Sequence, residues 1–139
     1  MLSTNVSIEQ KINFAEFDKA GIEVYVKRDD LIHPFISGNK WRKLKYNYAA
    51  YLESGCKGIL TFGGAFSNHI LATAAFAAQA GIPSIGLIRG EAPQGINPVL
   101  ILARLWGMQL IHLTRENYRQ KEDLSAEWSA KGYFVIPEG

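Results

Sequence analysis

The chain has one cysteine, Cys56, so an intrachain disulfide and a cysteine-rich zinc site are both excluded. A lone free cysteine behaves as a small apolar residue, and Cys56 is expected to pack beside a strand. The absence of disulfides fits a reducing, cytoplasmic setting. Residues 1–14 lack a basic stretch followed by an apolar run and do not read as a secretory signal. Residues 58–88 contain no Asp, Glu, Lys or Arg. Glycines, Pro83 and the polar trio Ser67, Asn68 and His69 nevertheless cut that stretch into pieces too short for a membrane span. The net charge is only +2, with no basic stripe bearing groove-reading residues, so nucleic acid is not an expected partner. Asp29 and Asp30 have no third ligand at suitable spacing, and His33, His69 and His112 form no ligand pattern, so no metal site is expected.

What is present suits one globular domain. The chain has 139 residues, of which 47% are hydrophobic and 20% charged, enough for a sizeable core and against disorder. Four stretches, "GCKGILTFGG", "GIPSIGLIRGE", "GMQLIHLTRE" and "GYFVIPEG", each open on glycine and run into an apolar segment. The opening glycines are Gly55, Gly81, Gly107 and Gly132, spaced 26, 26 and 25 residues apart. Each reads as a glycine closing a helix in the left-handed conformation, followed by a buried strand. Helices are predicted over residues 40–54, 67–80, 97–106 and 115–131. The first carries Trp41, Leu44, Tyr48 and Leu52 as one apolar stripe. The second is small or apolar almost all round, as for a helix packed between a sheet and other helices. The third has Asn97 as cap and Pro98 at its first position. Val24–Lys27 reads as a further strand packed elsewhere. His112 falls in a strand and is expected in the core. The predicted class is α/β, with an open, mostly parallel sheet and helices on both faces.

Two places attract attention as ligand sites, both where strands end and helices begin. "SGNKWRKLKYN", residues 37–47, crowds Lys40, Arg42, Lys43 and Lys45 near a helix start without one acid. A helix N-terminus is already partly positive, so bases there are unfavourable unless an anion binds. Lys40, Lys43 and Asn47 share a helix face. A solvated basic face is an equal reading of the pattern. The second place is "FGGAFSNH", where Gly63 and Gly64 permit close backbone approach. There Ser67 and Asn68 offer a cap, a hydroxyl and an amide. It is neither a P-loop nor GxGxxG, and a plain capped helix is the simpler account. His69 is the one histidine in a suggestive context.

"VYVKRDDL", "SGNKWRKLKYN" and "TFGGAFSNH", in this order, together with "GYFVIPEG", resemble one family. It comprises the pyridoxal-phosphate (PLP) enzymes 1-aminocyclopropane-1-carboxylate deaminase and D-cysteine desulfhydrase, in the tryptophan-synthase-β-like, fold type II group. The matches run through most of residues 22–139. The resemblance implies that Lys40 carries PLP as a Schiff base and is a catalytic residue. That role needs a lysine able to lose its proton, and Arg42 and Lys43 are expected to favour the loss. It further implies that Asn68 lies beside the cofactor's ring hydroxyl and Lys43 near its phosphate. Ser67 would engage the substrate carboxylate and assist proton transfer.

The implied reaction begins with a small amino acid displacing Lys40. A bond at or near Cα then breaks, releasing ammonia and an α-keto acid. A homodimer is the expected assembly. Family chains are about twice as long, so the resemblance implies an N-terminal portion. Residues 1–39 would lead in from a large domain, 40–131 would form the small domain and 132–139 would return to the large one. Two other readings are a module that binds a phosphorylated ligand without chemistry, and an inactive folded fragment.

Overall fold

A computed structural model describes residues 7–92 and 94–138. The chain opens with β1 (Glu9–Ile12), α1 (Ala15–Lys19) and β2 (Val24–Lys27), then makes a 3-10 turn over Asp29–Leu31. Next come α2 (Gly38–Ser54), β3 (Gly58–Gly64), α3 (Asn68–Ala80), β4 (Ser84–Arg89), α4 (Pro98–Leu105) and β5 (Gln109–Leu113). The described chain closes with α5 (Arg115–Arg119), α6 (Lys121–Ala130) and β6 (Tyr133–Ile136).

β1 and β2 form a separate antiparallel pair. The other strands make one parallel sheet in the order β5-β4-β3-β6. The repeat read from the sequence is the cause. Gly55, Gly81, Gly107 and Gly132 all have φ between 67° and 84°, the region where a side chain would be strained. Each turns the chain from a helix into the next strand.

Right-handed crossovers then dictate the layers. Stepping outward from β3 to β4 to β5 puts α3 and α4 on one face. The return from β5 past β3 to β6 puts α5 and α6 on the other. α2 joins the first face, where Leu44 packs with Ile59, Ala72, Phe76 and Ile136. Ile70 and Ala74 of α3 meet Ile88, Leu100 and Ala103 beside them. On the second face Leu60, Phe62, Ile85 and Leu87 pack against Tyr118, Leu124 and Trp128. Successive β3 residues thus serve opposite faces, as the alternation of a strand requires. α3 lies between the sheet, α2 and α4, which explains its lack of a polar stripe.

Three details differ from the sequence reading. The predicted helix over 115–131 is broken at Gln120, whose ψ of 46° is not helical. Tyr118 and Leu124, six residues apart, would point about 120° away from each other on one straight helix. The break lets both reach the same sheet face. α2 starts at Gly38, two residues early, with Gly38 at φ +58°. Cys56 is only partly buried.

Leu44 is fully buried and is the main apolar link from α2 to the sheet. Leu44→Ala is expected to lower stability by about 2–5 kcal/mol, the usual range for such a cavity, and urea unfolding followed by circular dichroism checks it.

Candidate functional site

The strand order reverses between β3 and β6, and open α/β sheets bind ligands beyond the carboxyl ends of strands at such a point. α2 and α3 both start close by. The loop before α2 is braced by His33. Its Nδ1 accepts from the backbone N–H of Phe35 at 3.1 Å and of Ile36 at 3.0 Å. Its Nε2 lies 2.7 Å from the Gln79 carboxamide on α3. Burial lowers the His33 pKa, which favours the neutral ring that this bracing uses.

The braced loop and the two helix starts enclose a cleft of about 380 Å³, lined by Phe35, Ser37, Gly38, Lys40, Asn68 and Leu71 among others. Lys40 and Asn68, 28 residues apart in sequence, therefore face one space. Ser37 is the N-cap of α2 by position, yet its side chain makes no capping hydrogen bond. The first turn of α2 holds no acid.

The rest of the basic cluster is arranged differently. Arg42 donates to Asp29 Oδ2 through Nε at 3.0 Å and Nη2 at 2.8 Å. Its charge is thus compensated, contrary to the expectation that it acts on Lys40. Asp30 is engaged by Arg28 at 2.7 Å, so both adjacent aspartates are committed to arginines. Lys43 turns away from the Lys40 cleft and donates to the Pro137 carbonyl at 2.6 Å, just beyond β6. Burial and then the charge of Lys40 lower the Lys43 pKa, while Glu138 raises it. Asn47 is used within the helix, donating to the Lys43 carbonyl at 2.8 Å.

At the end of β3 the glycine loop is a packing device. A Cβ on Gly63 would lie 2.5 Å from Ile70 Cγ1 and 2.8 Å from Ser67 Oγ. The missing side chain lets Ser67 fold back and cap α3. Its oxygen accepts from His69 N at 3.2 Å and Ile70 N at 3.3 Å. Ser67 does not line the Lys40 cleft. Its hydroxyl proton is not spent by the cap and can still be donated.

Two residues after Ser67, His69 carries a feature that the sequence reading only flagged. His69 is buried, with Nε2 2.8 Å from Thr61 Oγ1. Thr61 donates to the Ile136 carbonyl at 2.9 Å, so its oxygen accepts from His69 Nε2–H. Nδ1 is left buried without a hydrogen bond of normal geometry. Burial first, then Lys43 and Lys40, push the His69 pKa down to about 4, against opposing effects of Glu138 and the Pro137 carbonyl. The sequence signal was Thr61, a hydroxyl at an inward position of an otherwise apolar strand. His112, expected in the core, is partly buried on β5 with Nδ1 3.2 Å from the Gly90 carbonyl.

These features define an open parallel α/β domain with an amine-bearing lysine and a carboxamide across one cleft near the reversal of strand order. Residues 10–139 match the family model described as pyridoxal-phosphate dependent enzyme, and the chain belongs to that family. It is 36% identical over 129 residues to a Thermotoga maritima protein provisionally named a 1-aminocyclopropane-1-carboxylate deaminase, covering 88% of this chain and 41% of that one. It is 32% identical over 131 residues to D-cysteine desulfhydrase of Serratia proteamaculans, covering 88% and 40%. The crystal structure of an ACC deaminase homologue superposes with a TM-score of 0.74 at 29% identity, over 99% of this chain and 43% of the other. The chain thus spans about two fifths of the length of these relatives. No described helix is long and apolar enough to cross a membrane.

The donor set suits PLP. Lys40 offers a primary amine, Asn68 a carboxamide, and Phe35 and Leu71 apolar walls, beside a helix start with no side-chain cap.

The His69 geometry predicts a pH dependence of stability. The folded protein holds the ring neutral, whereas an unfolded histidine titrates near 6.5. The contribution is full above pH 6.5 and is lost as pH falls towards 4, because the unfolded chain then binds the extra proton. The loss should be on the order of 2 kcal/mol between pH 7 and 4.5 in urea midpoints. His69→Gln should flatten that slope relative to the unsubstituted chain.

Proposed function

We propose that this chain carries the lysine-bearing part of a PLP-dependent lyase or deaminase for small amino acids. The type is 1-aminocyclopropane-1-carboxylate deaminase or D-cysteine desulfhydrase, releasing ammonia and an α-keto acid. The observation that supports it most is the placing of Lys40 and Asn68 on two helices around one cleft. Bound PLP supplies an electron sink for breaking a bond at the substrate's Cα.

The chain's own residues do the rest. Lys40 Nζ would hold the cofactor through its carbonyl and, when free, would be the amine placed to carry a proton at the substrate's Cα. Asn68, across the cleft from Lys40, would donate from Nδ2 to the cofactor's ring oxygen. Phe35 and Leu71 would give the cofactor apolar contacts beside Lys40. Ser67, beside Asn68 at the start of α3, would offer its hydroxyl proton to the substrate carboxylate. Lys43 donates to the Pro137 carbonyl outside the Lys40 cleft, so it would favour the cofactor's phosphate only through its nearby positive charge.

The proposed organisation keeps residues 1–39 as the lead-in from a large domain, 40–131 as the small domain and 132–139 as the return. In it, β6 both completes the sheet through β3 and carries the chain out. A cytoplasmic homodimer is the proposed setting.

The uncapped start of α2 also suits a module that holds a phosphorylated ligand without chemistry. Lys40 separates the two readings. Purified chain is incubated with PLP, followed by visible absorption, reduced with borohydride and mapped by peptide mass spectrometry. The pyridoxyl group is expected on Lys40 above the other lysines, and the visible band is expected to vanish in Lys40→Ala. Asn68→Ala should weaken PLP retention about tenfold, the effect of one lost hydrogen bond. Label spread evenly over surface lysines, unchanged by Lys40→Ala, would sink the enzyme reading.

A further inference from the structure

A second and larger cleft, of about 1230 Å³, opens beyond the carboxyl ends of β3, β4 and β5. It lies towards α5, on the side of the sheet away from α2 and α3. Gly64, Arg89, Arg115, Tyr118, Arg119 and Lys121 line it, and Glu91 is the one carboxylate among its lining residues. It shares no lining residue with the Lys40 cleft.

Its charges are not balanced. Lys121 is paired with Glu138. Arg89, Arg115 and Arg119 have no ion pair among the described residues. Tyr118 holds two of the cations in place. The Arg89 guanidinium lies 5.9 Å from its ring centroid and the Lys121 ammonium 4.8 Å. The ring is 3% exposed and packs edge-on to Phe62 at 6.0 Å, so this platform is rigid. The Tyr118 hydroxyl is buried beside Glu138 without a hydrogen bond of normal geometry.

Three guanidinium groups without a salt bridge line one concavity, Arg89 among them feeling the Glu138 carboxylate, and the concavity focuses their field. Scattered over a convex surface they would be solvated and unremarkable. Gathered at strand ends around a buried aromatic floor, they are placed where α/β sheets take ligands. Guanidinium also matches carboxylate and phosphate oxygens in paired hydrogen bonds. The volume exceeds what one amino acid needs.

We infer that this cleft binds a small polyanion, a molecule with two or more phosphate or carboxylate groups, at a site separate from Lys40. The site does not depend on the PLP reading. The probes are inorganic pyrophosphate and tricarballylate, titrated into the full 139-residue chain by calorimetry at low salt. One-site saturable binding is expected with at least one probe, weakening as salt rises. The tighter probe tells phosphate from carboxylate. The double variant Arg115→Ala/Arg119→Ala should weaken binding more than about tenfold, and Lys40→Ala should leave it unchanged. A measurement without substitution guards against misfolding: the bound probe should protect Arg89, Arg115 and Arg119 from phenylglyoxal in peptide maps. No saturable binding by either probe would overturn the inference. So would loss of binding in Lys40→Ala with retention in the arginine variant, or an absence of protection.

Discussion

The structure depends on β3. It pairs with β4 on one side and β6 on the other, and its residues from Gly58 to Gly63 are buried. A strand enclosed in that way must satisfy its backbone through its neighbours and can carry only groups that pack or find partners. Its one polar side chain, Thr61, does so by bonding to β6 and to His69 at once. That hydroxyl joins two strands and a helix at the level where the chain reverses direction. Gly63, one turn of the pleat further on, allows the helix start to close over the strand end. The position of Asn68 follows from both.

The Lys40 cleft is assembled from parts that have separate supports. His33 braces the loop before α2, Leu44 anchors the helix body, and Ser67 caps the facing helix. Asn97, while capping α4, also donates to the Ala65 carbonyl at 3.0 Å and so steadies the glycine loop. Each support is short-range and buried or partly buried, which keeps the walls fixed without any contact to a ligand. The N-terminal β1–β2 pair is the opposite case. Its strand residues are mostly exposed, and Ile12, Tyr25 and Val26 face solvent. Two strands alone are marginal in water, so this part contributes little to the core that positions the site.

Much was legible in the chain because backbone chemistry is local. Glycine at 26-residue intervals announces left-handed turns wherever the sheet lies, and Asn97 followed by Pro98 announces a helix start. The doubly covered parallel sheet follows from apolar strands without alternation. The break at Gln120 was hidden, because residues 115–131 contain no proline or glycine to mark it. What bends the chain there is the need of both Tyr118 and Leu124 to reach one sheet face, a condition visible only when the sheet is present. Arg42 was misjudged for a similar reason. Its partner Asp29 lies 13 residues earlier, beyond helical spacing, so proximity in sequence to Lys40 was a poor guide to its electrostatic role.

By itself the sequence determined the α/β repeat, the ends of most elements and the lysine and asparagine that stand at two helix starts. These depend on φ preferences, capping and periodicity, which act within a few residues. Only the tertiary structure decided that Lys40 and Asn68 share a cleft, that Lys43 belongs to the end of β6, and that three arginines line one cleft with Tyr118. Those outcomes depend on strand order and crossover hand, which bring together side chains whose separation along the chain carries no record of their distance in space.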